Sequence, residues 1–366
     1  MGMKVAFRTD ASLSIGTGHV MRCLTLARLL AAGGAQCRFI CRPHDGHLVD
    51  YIRAEGFDVR SLPVSIGKPS TLPALAHAHW LGSTQEDDAA QTCEQLCDFS
   101  ADWLVVDHYG LDQEWERRLQ SSAARLLVID DLADRQHVCN LLLDQTLGRN
   151  PDDYQSLVPA GCMVLAGPKY ALLRPEFAQA RRDSLRRRRT ARAIGRVLVT
   201  LGGVDQHNAT EAVLNVLDGE GALPDTCQIT VVMGAAAPWL DAVKARASLM
   251  RRPTEVVLNV RDMARRMVDS DLAIGAAGST SWERCCLGLP TALLVLAENQ
   301  QPSARALGEA GAVRLIGGPQ DIAQRLPGIL AEFSDMRVLH AASDMASRVC
   351  DGAGAGRVAD LMKERS

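Results

Sequence analysis

The chain has 366 residues, 47% hydrophobic and 23% charged, with 4% aromatics and a formal net charge of -3. That length predicts two domains. The balanced charge and scarce aromatics exclude the usual nucleic-acid binders, no apolar run approaches the roughly 20 residues that span a bilayer, and "MGMKVAFRTDAS" lacks the apolar core of a signal peptide. The 11 cysteines are scattered and odd in number, which does not resemble a disulfide framework and points to the cytoplasm. Cys93 and Cys97 in "CEQLC" have helical spacing but no second Cys or His pair nearby, so no metal is expected. Cys285 and Cys286 in "WERCCLGLP" read as buried, inert thiols.

In chain order, the strand candidates of the first half are "KVAFR", "QCRFIC", "FDVRSL", "DWLVVD", "RLLVID", "NLLLD" and "MVLAG". Those of the second half are "RVLVTLGG", "QITVVMG", "TEVVLN", "DLAIGA" and "TALLVL". Amphipathic segments separate them, the pattern of parallel sheets covered by helices. The fold class is therefore α/β, with one doubly wound sheet in each half and a cleft between the halves. The expected domains are 1–180 and 195–350, followed by a C-terminal helix over 351–366. Between the domains, "EFAQARRDSLRRRRTARAIGR" reads as a solvated helix or linker, with Arg186 to Arg189 as a nucleic-acid arm in the alternative. The tail "VCDGAGAGRVADLMKERS" reads as a Gly-rich hinge and a short helix that packs away from the preceding one.

Ligands of open α/β sheets bind beyond the carboxyl ends of the strands, and four stretches stand there. In "SIGTGHVMRC", Gly16 and Gly18 turn the chain into a helix whose Val20, Leu24, Ala27 and Ala31 would bury one face. His19 and Arg22 are left to face the cleft. His19 is either a neutral base or a structural histidine at a helix start. "VVDHYG" delivers Asp107, His108 and Tyr109, as ligands or as a helix cap with a packed tyrosine. In "IDDLADR", Asp130 and Asp131 are adjacent on a strand and need not act as a pair. "TLGGVDQHN" is neither a dinucleotide fingerprint nor a Walker sequence, although Gly202 and Gly203 would let a phosphate approach the backbone. In "GSTSWE", Ser279, Thr280 and Glu283 read first as a capping box, and otherwise as a diphosphate and ribose site.

"FRTDASLSIGTGHVMRC", "VVDHYG", "YALLRPEF", "LGGVD" and "AENQQ", in this order, resemble PseG, the UDP-sugar hydrolase family of pseudaminic acid biosynthesis, from Lys4 to about Gly311. "RDMARRMVDSDLAIGAAGSTSWERCCLGLP" also resembles the nucleotide-binding half of MurG. The resemblance implies a GT-B-like fold and hydrolysis of UDP-2,4-diacetamido-2,4,6-trideoxy-β-L-altropyranose to UDP and the free sugar, in a pathway that serves flagellin glycosylation. It makes His19 the base that activates water, and puts Tyr109 and Asn299 beside the sugar as catalytic residues. Asp10, Gly18 and Arg22 accompany the histidine motif. Gly202, Gly203, Asp205 and Arg174 line the cleft, and Ser279 and Thr280 meet the phosphates. Glu283 accepts from the ribose, Val260 to Met263 and the loop after Met233 and Gly234 read uracil, and Gln300 follows Asn299. Trp282 replaces a smaller polar residue of some members and is given no substrate contact. No cofactor, nucleic-acid or membrane partner is implied, and a monomer or weak oligomer is expected. A GT-B glycosyltransferase using a UDP-sugar donor is the alternative, and a nonenzymatic UDP-sugar binder is a third reading.

Overall fold

The computed structural model describes residues 2–64, 75–235 and 237–365. It divides into two compact units. One runs to Leu172 and is rejoined by the residues from Gly354 onward; the other spans Leu173–Ala353.

The first unit carries β1 (Lys4–Thr9), α1 (Gly18–Ala32), β2 (Gln36–Cys41), α2 (Val49–Ala54), β3 (Asp58–Ser61), α3 (Gln85–Leu96) and β4 (Ala101–Asp107), then α4 (Gln113–Leu119), β5 (Ala123–Ile129), β6 (Leu141–Asp144) and β7 (Met163–Ala166). Its parallel sheet has the order β3-β2-β1-β4-β5-β6-β7. Both faces are covered, so the strands are continuous apolar runs whose alternate residues enter different cores. Val5, Phe7, Phe39, Trp103, Val105 and Leu127 pack with α1 on one side. Ala6, Ile40, Leu104, Val106, Leu126 and Trp115 of α4 pack on the other. In α1 the buried stripe runs through Val20, Cys23, Leu24, Ala27 and Leu30. Ala31, expected on that stripe, is exposed. Steps of three and four residues both continue a helical stripe, and packing here selects Leu30.

The second unit contains α5 (Pro175–Thr190), β8 (Arg196–Thr200), α6 (Ala209–Leu217), β9 (Gln228–Met233), α7 (Leu240–Ser248), β10 (Thr254–Leu258), α8 (Met263–Asp269) and β11 (Leu272–Ala276). It continues through α9 (Thr280–Cys286), β12 (Thr291–Leu294), α10 (Gln301–Glu309), β13 (Arg314–Gly317), α11 (Ile322–Ser334) and α12 (Met336–Val349). Its parallel sheet has the order β10-β9-β8-β11-β12-β13. β13, "RLIG", is a four-residue edge strand beside glycines that sequence reading passed over.

The segment expected as a solvated helix or linker is a helix of the second unit, exposed along much of its length and packed along one side. Within α5, Arg188 is buried and donates to the carbonyls of Leu287, Ser270 and Met267, while Arg187 meets Asp271 at 2.7 Å. Carbonyls that end neighbouring segments need donors, and Arg187 and Arg188 supply them while Arg186 and Arg189 stay exposed. The final helix, α13 (Gly354–Glu364), belongs to the first unit. Val358, Ala359 and Met362 join the core beside α1, and the Trp103 indole donates to the Met362 carbonyl at 3.1 Å. Gly354 is required there, because a Cβ would stand 2.4 Å from the Ala171 oxygen.

Each strand order turns back once, at β1/β4 in the first sheet and β8/β11 in the second. These switch points are where open α/β sheets leave room for a ligand.

Candidate active site

Residue pairing across β1 and β4 sets Thr9 opposite Asp107, so the loop after β1 and the end of β4 lie together. The loop folds on itself. Ser12 Oγ accepts from the backbone N–H of Ser14 and Ile15 at 3.2 and 2.9 Å, and Gly16 takes φ +79. The chain then enters α1 at Gly18 with His19 in the first turn.

There His19 Nδ1 lies 2.5 Å from Asp107 Oδ1. Arg22 grips the same carboxylate, from Nε to Oδ2 at 2.6 Å and from a terminal nitrogen to Oδ1 at 2.7 Å. Burial would raise the Asp107 pKa, but Arg22 and then His19 outweigh it and hold the carboxyl well below its ordinary value. An ionised carboxylate only accepts, so in the neutral ring Nδ1 carries the hydrogen and Nε2 presents a lone pair. Nε2 has no hydrogen-bond partner among the described residues. A histidine oriented by a carboxylate through one nitrogen, with the other free, is the arrangement of a general base.

The surroundings fix this pair. Arg22 is held from a second side as well, donating to Asp131 at 2.5 Å. Tyr109 donates its hydroxyl to Asp131 at 2.8 Å, and its ring meets the His19 ring edge-on with centroids 4.6 Å apart. Burial, reinforced by Asp131, pushes the phenol pKa far up, so Tyr109 is a neutral wall with its hydroxyl already committed. Trp80 stacks on Tyr109 at 5.7 Å and His77 stands 4.4 Å from Trp80; sequence reading missed both. Asp130 points elsewhere, to Arg135 and Tyr154. Asp10, expected at the ligand, is fully buried; it accepts from the Arg42 backbone N–H at 2.7 Å and forms an ion pair with the Arg8 guanidinium at 2.7 Å. It ties the end of β1 to the end of β2.

In the second unit, Gly202 follows β8 with φ +94, and Gly203 accepts from the Gly234 N–H at 3.1 Å. A Cβ on Gly234 would sit 2.3 Å from the Gly203 oxygen, so the two loops require glycine to touch. Asp205 is occupied: its oxygens accept from the Ala209 and Thr210 backbones, both at 2.9 Å, and cap α6. The Met233 side chain lies in the core. Residue 236, in the loop expected after it, lies outside the described residues. Val260 is half-buried, and Met263 opens α8.

The capping-box reading of "STSWE" is overturned. Ser279 makes no side-chain cap, and its backbone is already helical at φ -56, a conformation that turns the hydroxyl away from the amides it would cap. Glu283 faces Arg174 at 3.8 Å instead. Its side chain is only 16% exposed, and burial, partly offset by Arg174 and Arg284, raises its pKa to about 7. Thr280 accepts from Arg284 at 3.1 Å. Trp282 is buried. Asn299 is exposed, and Gln300 turns its amide oxygen back onto the Leu296 N–H at 2.9 Å, shaping the loop that carries Asn299.

No family model matches the chain. It is 24% identical over 310 residues to the UDP-2,4-diacetamido-2,4,6-trideoxy-beta-L-altropyranose hydrolase of Campylobacter jejuni, covering 84% of this chain and 97% of that protein. It is 25% identical over 278 residues to the spore coat polysaccharide biosynthesis protein SpsG of Bacillus subtilis, covering 74% and 79% respectively. Among solved structures, MurG of Acinetobacter baumannii superposes with a TM-score of 0.64 at 13% identity over 99% of both chains. The fold is therefore GT-B, and the resemblance to the hydrolase extends over most of the chain.

Proposed function

We propose that the protein hydrolyses a UDP-sugar, with a UDP-2,4-diacetamido-2,4,6-trideoxy-β-L-altropyranose as its substrate. The observation that carries the reading is the His19–Asp107 pair, with Nδ1 bound at 2.5 Å and Nε2 unoccupied. Near-full-length likeness to the Campylobacter hydrolase supports the substrate class. In this reading the second unit binds the nucleotide, through Glu283 at the ribose and Ser279 and Thr280 at the diphosphate. Asn299 meets the sugar, and Tyr109 walls the base.

Water is a weak nucleophile and UDP a good leaving group, so activating water is the chemical demand. A water held on Nε2 attacks the anomeric carbon, and its proton passes to His19. The bond from that carbon to the phosphate oxygen breaks with its electron pair leaving on UDP, and the free sugar departs. Asp107 stabilises the imidazolium that forms, and Arg22 keeps Asp107 ionised.

The test is turnover of UDP-diacetamido sugars in ¹⁸O-water. Label in the released sugar supports attack at carbon, whereas label in UDP overturns it. Products formed only on addition of an alcohol acceptor would favour a glycosyltransferase of the same fold.

A further inference from the structure

Arg284 is a buried cation that the proposed reaction does not use. Its residue is 1% exposed. One terminal nitrogen donates to the Ala276 carbonyl at 2.7 Å and to Ser281 Oγ at 3.0 Å, and the other donates to Thr280 Oγ1 at 3.1 Å. The strand makes room for it: a Cβ on Gly275 would lie 2.3 Å from the guanidinium. No carboxylate among the described residues forms an ion pair with it, since neighbouring Glu283 faces Arg174. Burial pulls its pKa down to about 10.

Arg188 is the instructive contrast. It too is buried without a carboxylate on it, but its donors end on three main-chain carbonyls at 2.7 to 2.8 Å, groups that can only accept. Arg284 spends two of its bonds on hydroxyls. A hydroxyl that accepts from a guanidinium still has its own hydrogen to place. Ser281 directs its hydrogen to the Ala276 carbonyl at 3.5 Å. Thr280 is half-buried and has no acceptor for its hydrogen among the described residues.

We propose that Arg284 is a positioning residue that fixes the Thr280 hydroxyl as a donor toward an anionic, acceptor-only ligand group, the diphosphate, so that the site prefers a nucleoside diphosphate to the uncharged nucleoside. This rests on the nucleotide reading of the second unit. A chain from guanidinium through hydroxyl to phosphate is charge-assisted at both ends, and the arriving anion offsets a buried charge that otherwise has no counter-ion.

Isothermal titration of UDP, UMP and uridine tests it on the wild type, T280V, R284K, R284M and the double variant R284M/T280V. T280V keeps the buried cation and nearly the same side-chain shape, so it reports even if R284M fails to fold. T280V and R284M should each weaken UDP by about tenfold or more while changing uridine by less than about twofold. R284K, which keeps the charge but not the fork, should weaken UDP by less than R284M does. The double variant should bind UDP within about threefold of R284M, because the two residues act as one chain. A wild type that binds neither UDP nor uridine overturns the nucleotide reading and this inference with it. A wild type that binds both, with T280V or R284M losing them in equal proportion, overturns the role of Arg284 alone, as does a fully additive double variant.

Discussion

The polar site of the first unit and that of the second differ in how completely their charges are matched. Around His19, Asp107 meets Arg22 at 2.6 Å, Arg22 meets Asp131 at 2.5 Å, and Tyr109 meets Asp131 at 2.8 Å, leaving one ring nitrogen open. In the second unit the nearest cation to Glu283 stands 3.8 Å away, Arg284 has no ion-pair partner among the described residues, and Ser279 caps nothing. Saturated networks hold a group in one orientation before anything binds, which is what proton transfer needs. Under-paired groups in a largely buried setting carry a desolvation cost that a ligand can relieve. On the proposed function, the first pattern suits proton transfer in the first unit and the second suits ligand binding in the second.

The largest test of this division is His19→Ala. It should cut turnover about 10²- to 10⁴-fold while leaving UDP affinity near the wild-type value. Steady-state rates and calorimetry read the two separately, and near-normal turnover would remove the base from His19. Asp107→Asn should follow, with a loss of about 10²-fold or more, because an amide can present the wrong tautomer and no longer stabilises the imidazolium. It also strips Arg22 of its buried partner, so a fall in melting temperature should accompany the kinetic loss. Unchanged rates would leave the 2.5 Å contact without a catalytic role.

Next comes the frame behind the first site. Gly354→Ala places a Cβ 2.4 Å from a main-chain oxygen. Loss of about 1–3 kcal/mol is expected from such overpacking, read by denaturant unfolding. Wild-type stability would mean that α13 does not depend on this close approach.

The smallest effect concerns Glu283 and pH. With its pKa near 7, Glu283 is increasingly protonated as pH falls, so if it holds the ribose as proposed, UDP affinity should drop between pH 8 and 6 by roughly five- to tenfold. Glu283→Gln should flatten that dependence. The stability effect has the opposite sign. Since the folded pKa of about 7 exceeds the ordinary 4.5, the folded state binds the extra proton in this window, and this group adds stability as pH falls from 7 toward 4.5. Asp144, raised to about 6, acts in the same direction, so the difference between wild type and Glu283→Gln is the quantity to follow.

Much of this architecture was legible in the residues. Continuous runs such as "DWLVVD" and "RVLVT" can satisfy their backbones and bury both faces only inside a covered parallel sheet, and glycine punctuation after strands marked where ligand loops lie. Chain order brings the "GTGH" turn, "VVDHYG" and "STSWE" each to a strand end, and the strand orders make those ends the two sheet switch points. Short-range rules were weaker wherever a side chain had a choice of partner. They favoured a cap for Glu283, and they did not show that Arg188 turns inward from the arginine run or that Asp205 holds the start of α6.

Those choices belonged to the tertiary structure, since each partner is remote in sequence or set by packing. Asp107 is 88 positions from His19 and reaches it only because β1 and β4 are neighbours. Likewise, the α13 segment finds the first unit because Met362 and Val358 complete a core that local sequence cannot specify. Periodicity encodes which face of an element is buried, whereas the identity of the group it meets there depends on which strands become neighbours.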